Sequence, residues 1–130
     1  MTLLDTNTLI HYLRGQPLVV ARLQKADPRQ IAVPTIVIYE IEYGALKGGP
    51  ARRREIVAQL LSGMEQIPLD REAALESARI RIDLEARGSL IGPMDLLIAG
   101  TALSRGAILA TNNTKEFSRI KGLRLSDWTK

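Results

Sequence analysis

The sequence contains no cysteine and a single histidine, His11. The first absence excludes a disulfide framework, thiolate zinc and iron–sulfur sites and every cysteine-nucleophile mechanism, and it fits a reducing compartment. The second excludes a two-histidine acid–base mechanism within one chain and any multi-histidine metal site. Aromatic residues make up only 4% of the chain, too few for a base-stacking platform. The longest apolar stretch, around Leu96 to Ala99, falls far short of the roughly 20 residues a membrane helix needs. The start, Met1 to Asp5, has neither a basic flank nor a signal-length apolar run, so the expected location is the cytoplasm, away from any membrane. Low-complexity tracts, linkers and repeats are also missing.

What is present is the profile of one globular unit: 130 residues, 45% hydrophobic, net charge +4. A chain of this length buries about two-thirds of its unfolded surface and needs no staple, so a single domain over 1–130 is expected. The positive balance favours a polyanionic partner.

Apolar segments alternate with helical patterns. Thr2 to Leu4, Ile31 to Val33, Ile67 to Leu69, Ile108 to Ala110 and Leu123 to Leu125 read as short strands. Helices are expected over Thr6 to Leu13, Leu18 to Lys25, Pro34 to Leu46, Pro50 to Met64, Arg71 to Arg87 and Pro93 to Leu103, with a helical turn from Glu116 to Ile120. Proline at helix starts and glycine just past helix ends set these bounds. Over Arg71 to Arg87, Leu75, Ala78, Ile82 and Ala86 form the apolar face, opposite Glu72, Glu76, Arg79, Asp83 and Arg87. Strands separated by helices imply an α/β fold: a three-layer α/β/α sandwich around a mainly parallel sheet of four to five short strands.

Most of the fourteen carboxylates fall on polar faces, but three do not, and a fourth, Glu116, joins them by its place past a strand, although an exposed glutamate at a helix start is common. Asp5 ends the apolar run Leu3-Leu4, where an open parallel sheet places its ligand crevice; the same residue type is also a good helix N-cap. Glu40 shares the helical stripe of Val37, Ile41 and Gly44. A charge on that stripe needs a compensating partner, either a buried arginine or a cation held with other acids. Glu42 points elsewhere. Asp95 opens a helix apolar on all sides, where the dipole favours an acid but burial does not. Glu116 follows the strand ending at Ala110 and the turn Thr111-Asn112-Asn113. Four carboxylates without histidine or cysteine select a hard cation, Mg²⁺ or Mn²⁺. Inside a basic protein, such a cluster points to phosphodiester chemistry.

At these residues the chain resembles the PIN-domain ribonucleases, and more closely the VapC toxins of bacterial toxin–antitoxin pairs. The likeness runs through Leu4-Asp5-Thr6-Asn7, Glu40 to Gly44, Arg87-Gly88, Gly92-Pro93-x-Asp95, Ile98-Ala99, Thr111-Asn112-Asn113, Glu116-Phe117 and Asp127-Trp128. It implies a catalytic metal site on Asp5, Glu40, Asp95 and Glu116, the last replacing an aspartate common in relatives. It implies Mg²⁺-dependent endoribonuclease activity that inhibits translation by cutting tRNA, with initiator tRNA suggested by the Thr-Asn-Asn and Asp-Trp segments. It further implies a homodimer held in check, in a larger hetero-oligomer, by a VapB-type antitoxin whose tail brings a basic residue to the acids. Tyr39, Tyr43 and Leu46, beside Glu40, are expected to offer that partner apolar anchors. Arg52 to Arg54, Arg79, Arg81, Arg87, Lys115, Arg119, Lys121 and Arg124 are the candidate phosphate contacts.

Two other classes stay open from the residues alone. A receiver-like phosphoacceptor domain matches the length and alternation but needs a second acid beside Asp5, which is not there. A non-catalytic RNA-binding module is separated from an enzyme by whether EDTA abolishes cleavage while binding persists.

Overall fold

The computed structural model describes all 130 residues. Five short strands form one sheet: β1 (Thr2–Leu4), β2 (Ile31–Pro34), β3 (Glu65–Ile67), β4 (Ile108–Ala110) and β5 (Arg124–Ser126). Their order is β3-β2-β1-β4-β5 and every pairing is parallel. The helices between them are α1 (Thr6–Leu13), α2 (Pro17–Lys25), α3 (Thr35–Gly48), α4 (Ala51–Ser62), α5 (Arg71–Ala86), α6 (Pro93–Ser104) and the single turn α7 (Thr114–Phe117). The chain therefore builds outward from β1 on one side, then returns past it to lay down β4 and β5. That reversal puts the topological switch point between β1 and β4, the place where open α/β sheets take their ligands.

The central strands carry the core because helices cover both faces of a parallel sheet and leave no solvated side. Leu3, Leu4, Ala32, Val33, Leu109 and Ala110 are all buried. Gly88, at φ +65°, ends α5 with a left-handed turn that a side chain would strain.

Most helix bounds differ from those expected by one or two residues, and β2 runs on to Pro34; three further differences concern strands and the last turn. The third strand is Glu65–Ile67 rather than Ile67 to Leu69, because Pro68 has no N–H to offer the ladder. The last helical turn starts two residues earlier, at Thr114, and the last strand runs one residue later, to Ser126.

The larger correction concerns α5. Its buried residues are Ala73, Ser77, Ile80 and Leu84, while Leu75 and Ile82 are 43% and 68% exposed. The helix has two apolar stripes, and it is the one containing small and polar residues that faces inward. Close approach to α6 explains the choice. A Cβ on Gly100 would lie 1.9 Å from Ser77 Oγ and 2.7 Å from its backbone nitrogen, so these two helices pack more closely than larger side chains allow. They form the most extensively packed helix pair in the molecule.

Candidate active site

Asp5 is the first residue past β1 and is almost fully buried. Its backbone N–H donates to the Ala110 carbonyl at 3.1 Å, continuing the β1–β4 ladder to the switch point. Its Oδ1 accepts from the Thr8 N–H at 2.8 Å, so the residue does cap α1 as well as face the crevice. Burial pushes its carboxyl above the ordinary range, partly offset by the Thr111 and Thr8 hydroxyls and the Thr8 N–H. Thr8 in turn donates from Oγ1 to the Ala110 carbonyl at 2.9 Å, and Thr111 is fully buried.

Asp95 is the third residue of α6, a helix whose N-cap Gly92 supplies no side-chain cap. A carboxylate there gains from the helix dipole, which lowers its pKa. The net effect is the reverse. Asp95 is pushed up to about 6, first by burial and then by the negative charges of Glu116, Glu40 and Asp5. The four acids chosen from the sequence therefore converge on one region, close enough that three of them disfavour ionisation of the fourth.

Glu40 comes from α3. It is partly rather than fully buried, and Gly44, expected on its stripe, is exposed. The buried line of α3 is Val37, Ile41 and Ala45, which leaves Glu40 on its shoulder. Its Oε1 accepts from the Thr6 hydroxyl at 2.6 Å, and no arginine pairs with it. Glu42 is exposed, as its helical position implies. Glu116, on α7, accepts from Asn113 Nδ2 at 3.0 Å through Oε2. Asn113 is itself anchored, its N–H donating to Thr111 Oγ1 at 3.0 Å.

Thr6, Thr111 and Asn113 thus orient acids, a role the sequence reading did not assign to them. Asn113 makes local contacts within its turn, but Thr6 reaches a residue 34 positions away and Thr111 reaches Asp5 across the β1–β4 pair, which only the fold reveals. His11 also belongs to the rim, its Nε2 lying 3.2 Å from Asn112 Nδ2.

No three acidic or histidine side chains close around a single point. The donor set is nonetheless all oxygen, and its crowding on Asp95 is what a divalent cation relieves. A hard cation that keeps several waters fits this arrangement. Beside Glu40, a cavity of about 510 Å³ opens between α1, α3 and α4. Its floor includes Ile10, Ile41, Ala45 and Val57, and its rim carries Arg14, Arg52 and Arg53. None of the molecule's ion pairs uses those arginines. On the outer side of α3, Tyr39, Tyr43 and Leu46 are 59%, 55% and 64% exposed, as the sequence suggested.

Comparison with known proteins bears on the family and the fold. The family model "PIN domain" matches residues 2–123. The chain is 36% identical over 127 residues to the tRNA(fMet)-specific endonuclease VapC of Salmonella typhimurium, covering 97% of this chain and 96% of that protein. It is 32% identical over 127 residues to ribonuclease VapC2 of Haemophilus influenzae, covering 97% and 96%. Among solved structures, DNA-bound VapBC from Salmonella typhimurium superposes with a TM-score of 0.92 at 36% identity, covering 98% of this chain and 97% of that one.

Proposed function

The chain belongs to the PIN-domain family, in its VapC ribonuclease branch, and from that premise we propose that it is the toxin of a type II toxin–antitoxin pair, a single-domain Mg²⁺-dependent endoribonuclease that cuts tRNA in the cytoplasm. The observation that carries the site assignment is the convergence of Asp5, Glu40 and Glu116 on Asp95 at the switch point of a basic protein. Asp5 and Asp95, on the better-buried supports, are the direct ligands. Glu40, oriented by Thr6, completes the set, and Glu116 acts at longer reach. Once bound there, Mg²⁺ supplies a water of lowered pKa and neutralises charge on the scissile phosphate. The protein's own part is to hold the acids together and oriented against their mutual repulsion, and to receive the phosphate backbone beside them.

Initiator tRNA is the proposed target, on the likeness to the tRNA(fMet)-specific relative. The proposed regulator is a VapB-type antitoxin, supported by the VapBC assemblies among the structural relatives. It docks on the exposed Tyr39, Tyr43 and Leu46 and directs a basic side chain to the acids; arginine suits this best because its fork pairs bidentately with carboxylates. The outward Leu75 and Ile82 of α5 support the proposed homodimer.

The test is cleavage of a tRNA pool by the purified protein, with fragment ends sequenced. Cleavage is expected to need Mg²⁺ or Mn²⁺, to stop with EDTA, and to fall by at least about 1,000-fold in Asp5→Asn and Asp95→Asn, the scale expected when metal-based charge stabilisation is lost. Near-native cleavage by either variant refutes the site. RNA binding without any cleavage leaves a binding module instead.

A further inference from the structure

Arg87 and Arg119 read from the sequence as candidate phosphate contacts, and the structure engages part of each guanidinium with other protein groups. Arg87 Nε and Nη2 donate to Asp83 Oδ2 at 3.1 and 2.7 Å, and Nη2 donates again to the Arg119 carbonyl. Arg119 returns the contact: its Nη1 lies 3.4 Å from the carbonyl oxygens of both Ser89 and Leu90. Each arginine therefore ties down the segment that carries the other. The stretch they join, from Arg87 through the left-handed Gly88 to Gly92, is the lead-in to α6 and ends three residues before Asp95. Arg119 stands three residues past Glu116.

The clasp thus bridges the two chain segments that deliver Asp95 and Glu116. The single turn α7 is anchored below by Phe117 and Ile120, both buried, and the side-chain hydrogen bonds that join its C-terminal end to the α5–α6 connection are those of these two arginines. Arg14, Arg52 and Arg53, by contrast, line the cavity beside Glu40 with no ion-pair partner.

Resting on the functional reading above, we propose that Arg87 and Arg119 are positioning residues: their reciprocal clasp fixes the spacing of Asp95 and Glu116, and neither binds the RNA backbone. Phosphate contact falls to free guanidinium groups such as those of Arg52 and Arg53.

The experiment compares wild type, Arg87→Lys, Arg87→Ala and Arg52→Ala/Arg53→Ala in three readouts. These are Mn²⁺ binding by electron paramagnetic resonance, the salt dependence of binding to a tRNA anticodon stem-loop in EDTA, and the split of kcat and KM in Mg²⁺. For Arg87→Ala, the expected result is about 10-fold weaker Mn²⁺ binding, the lower end of the loss seen when a ligand's own hydrogen-bond partner is removed, since Arg87 acts on the segments and not on the acids themselves. Its kcat falls while KM and the salt slope hold. Arg87→Lys keeps the charge but not the fork and should show the same pattern in part, which covers the case in which the alanine variant unfolds. The double arginine variant should instead lower the salt slope by about 0.7 per lost phosphate contact on a single strand. The proposal is overturned if Arg87→Ala lowers the salt slope with Mn²⁺ binding unchanged, or if it changes neither. If wild type and Asp95→Asn bind Mn²⁺ alike, the metal-site reading itself falls, a failure distinct from that of the clasp.

Discussion

Two helices bring acids to this site, and they hold them in opposite ways. Helix α6 is pressed against α5 at the Gly100–Ser77 contact, Ile98 to Ala102 are all buried, and the helix that carries Asp95 is fixed by that packing. Helix α3 presents Glu40 from its shoulder, with Tyr39 and Tyr43 in solvent beside it and one hydroxyl, from Thr6, to orient it. A glycine occurs in each helix, and the contrast shows there most clearly. At Gly44 of α3 nothing lies within 4 Å of where a Cβ would stand, whereas at Gly100 a Cβ meets Ser77 side chain and backbone together. The lesson is that a multi-acid centre need not be uniformly rigid: here one side is set by packing and the other by a single hydrogen bond.

The sharpest way to break that contrast is Gly100→Ala. The clash is with backbone as well as the flexible hydroxyl, so the helices must separate, at a cost of about 3 kcal/mol, the upper range for overpacking a core. Urea unfolding checks this. Ser77→Ala in the same chain is expected to recover only part, since the backbone contacts remain.

A smaller effect comes from Asp95→Asn. The folded protein holds this carboxyl near 6, above its ordinary value, so ionisation opposes folding. The stability is intact below about pH 4 and is lost as pH rises through 6. Removing the charge should therefore stabilise the protein above pH 6, by on the order of 1 kcal/mol after allowance for solvent screening of a half-buried group. The gain should vanish near pH 4, as followed by thermal unfolding across that range. A variant equally stabilised at both pH values would show that charge crowding is not the cause.

The smallest change, like that of Asp95→Asn, is of opposite sign to the first. Gly44→Ala fills open space in a helix interior and should stabilise by about 0.5–1 kcal/mol, the difference in helix propensity. Destabilisation of that variant would mean that α3 needs its exposed glycine for a reason other than packing.

The order of elements and the parallel sheet were legible because strand and helix periodicities alternate cleanly along this chain. Three of the acids were legible because each sits where solvation alone does not explain it: Asp5 just beyond a strand, Asp95 in an apolar helix, Glu40 on an apolar stripe; Glu116 was legible only by its place past the strand ending at Ala110 and by the resemblance. The face of α5 was not. Leu75 and Ile82 look more buried by composition than Ala73 and Ser77, and only the close fit of Ser77 to Gly100 decides for the smaller pair. The clasp was equally hidden, because Arg87 and Arg119 join residues about 30 positions apart through backbone carbonyls, acceptors that every residue possesses and no pattern marks.

The double duty of Asp5 has a consequence for how such a toxin fails. Its carboxylate both faces the site and caps α1 through the Thr8 N–H. Asparagine is as good a cap as aspartate, whereas alanine is not. Inheritance of a disarmed copy therefore takes two forms at this one codon. Asparagine leaves a folded chain whose site has lost a charge; alanine loses the charge and the cap of α1 together.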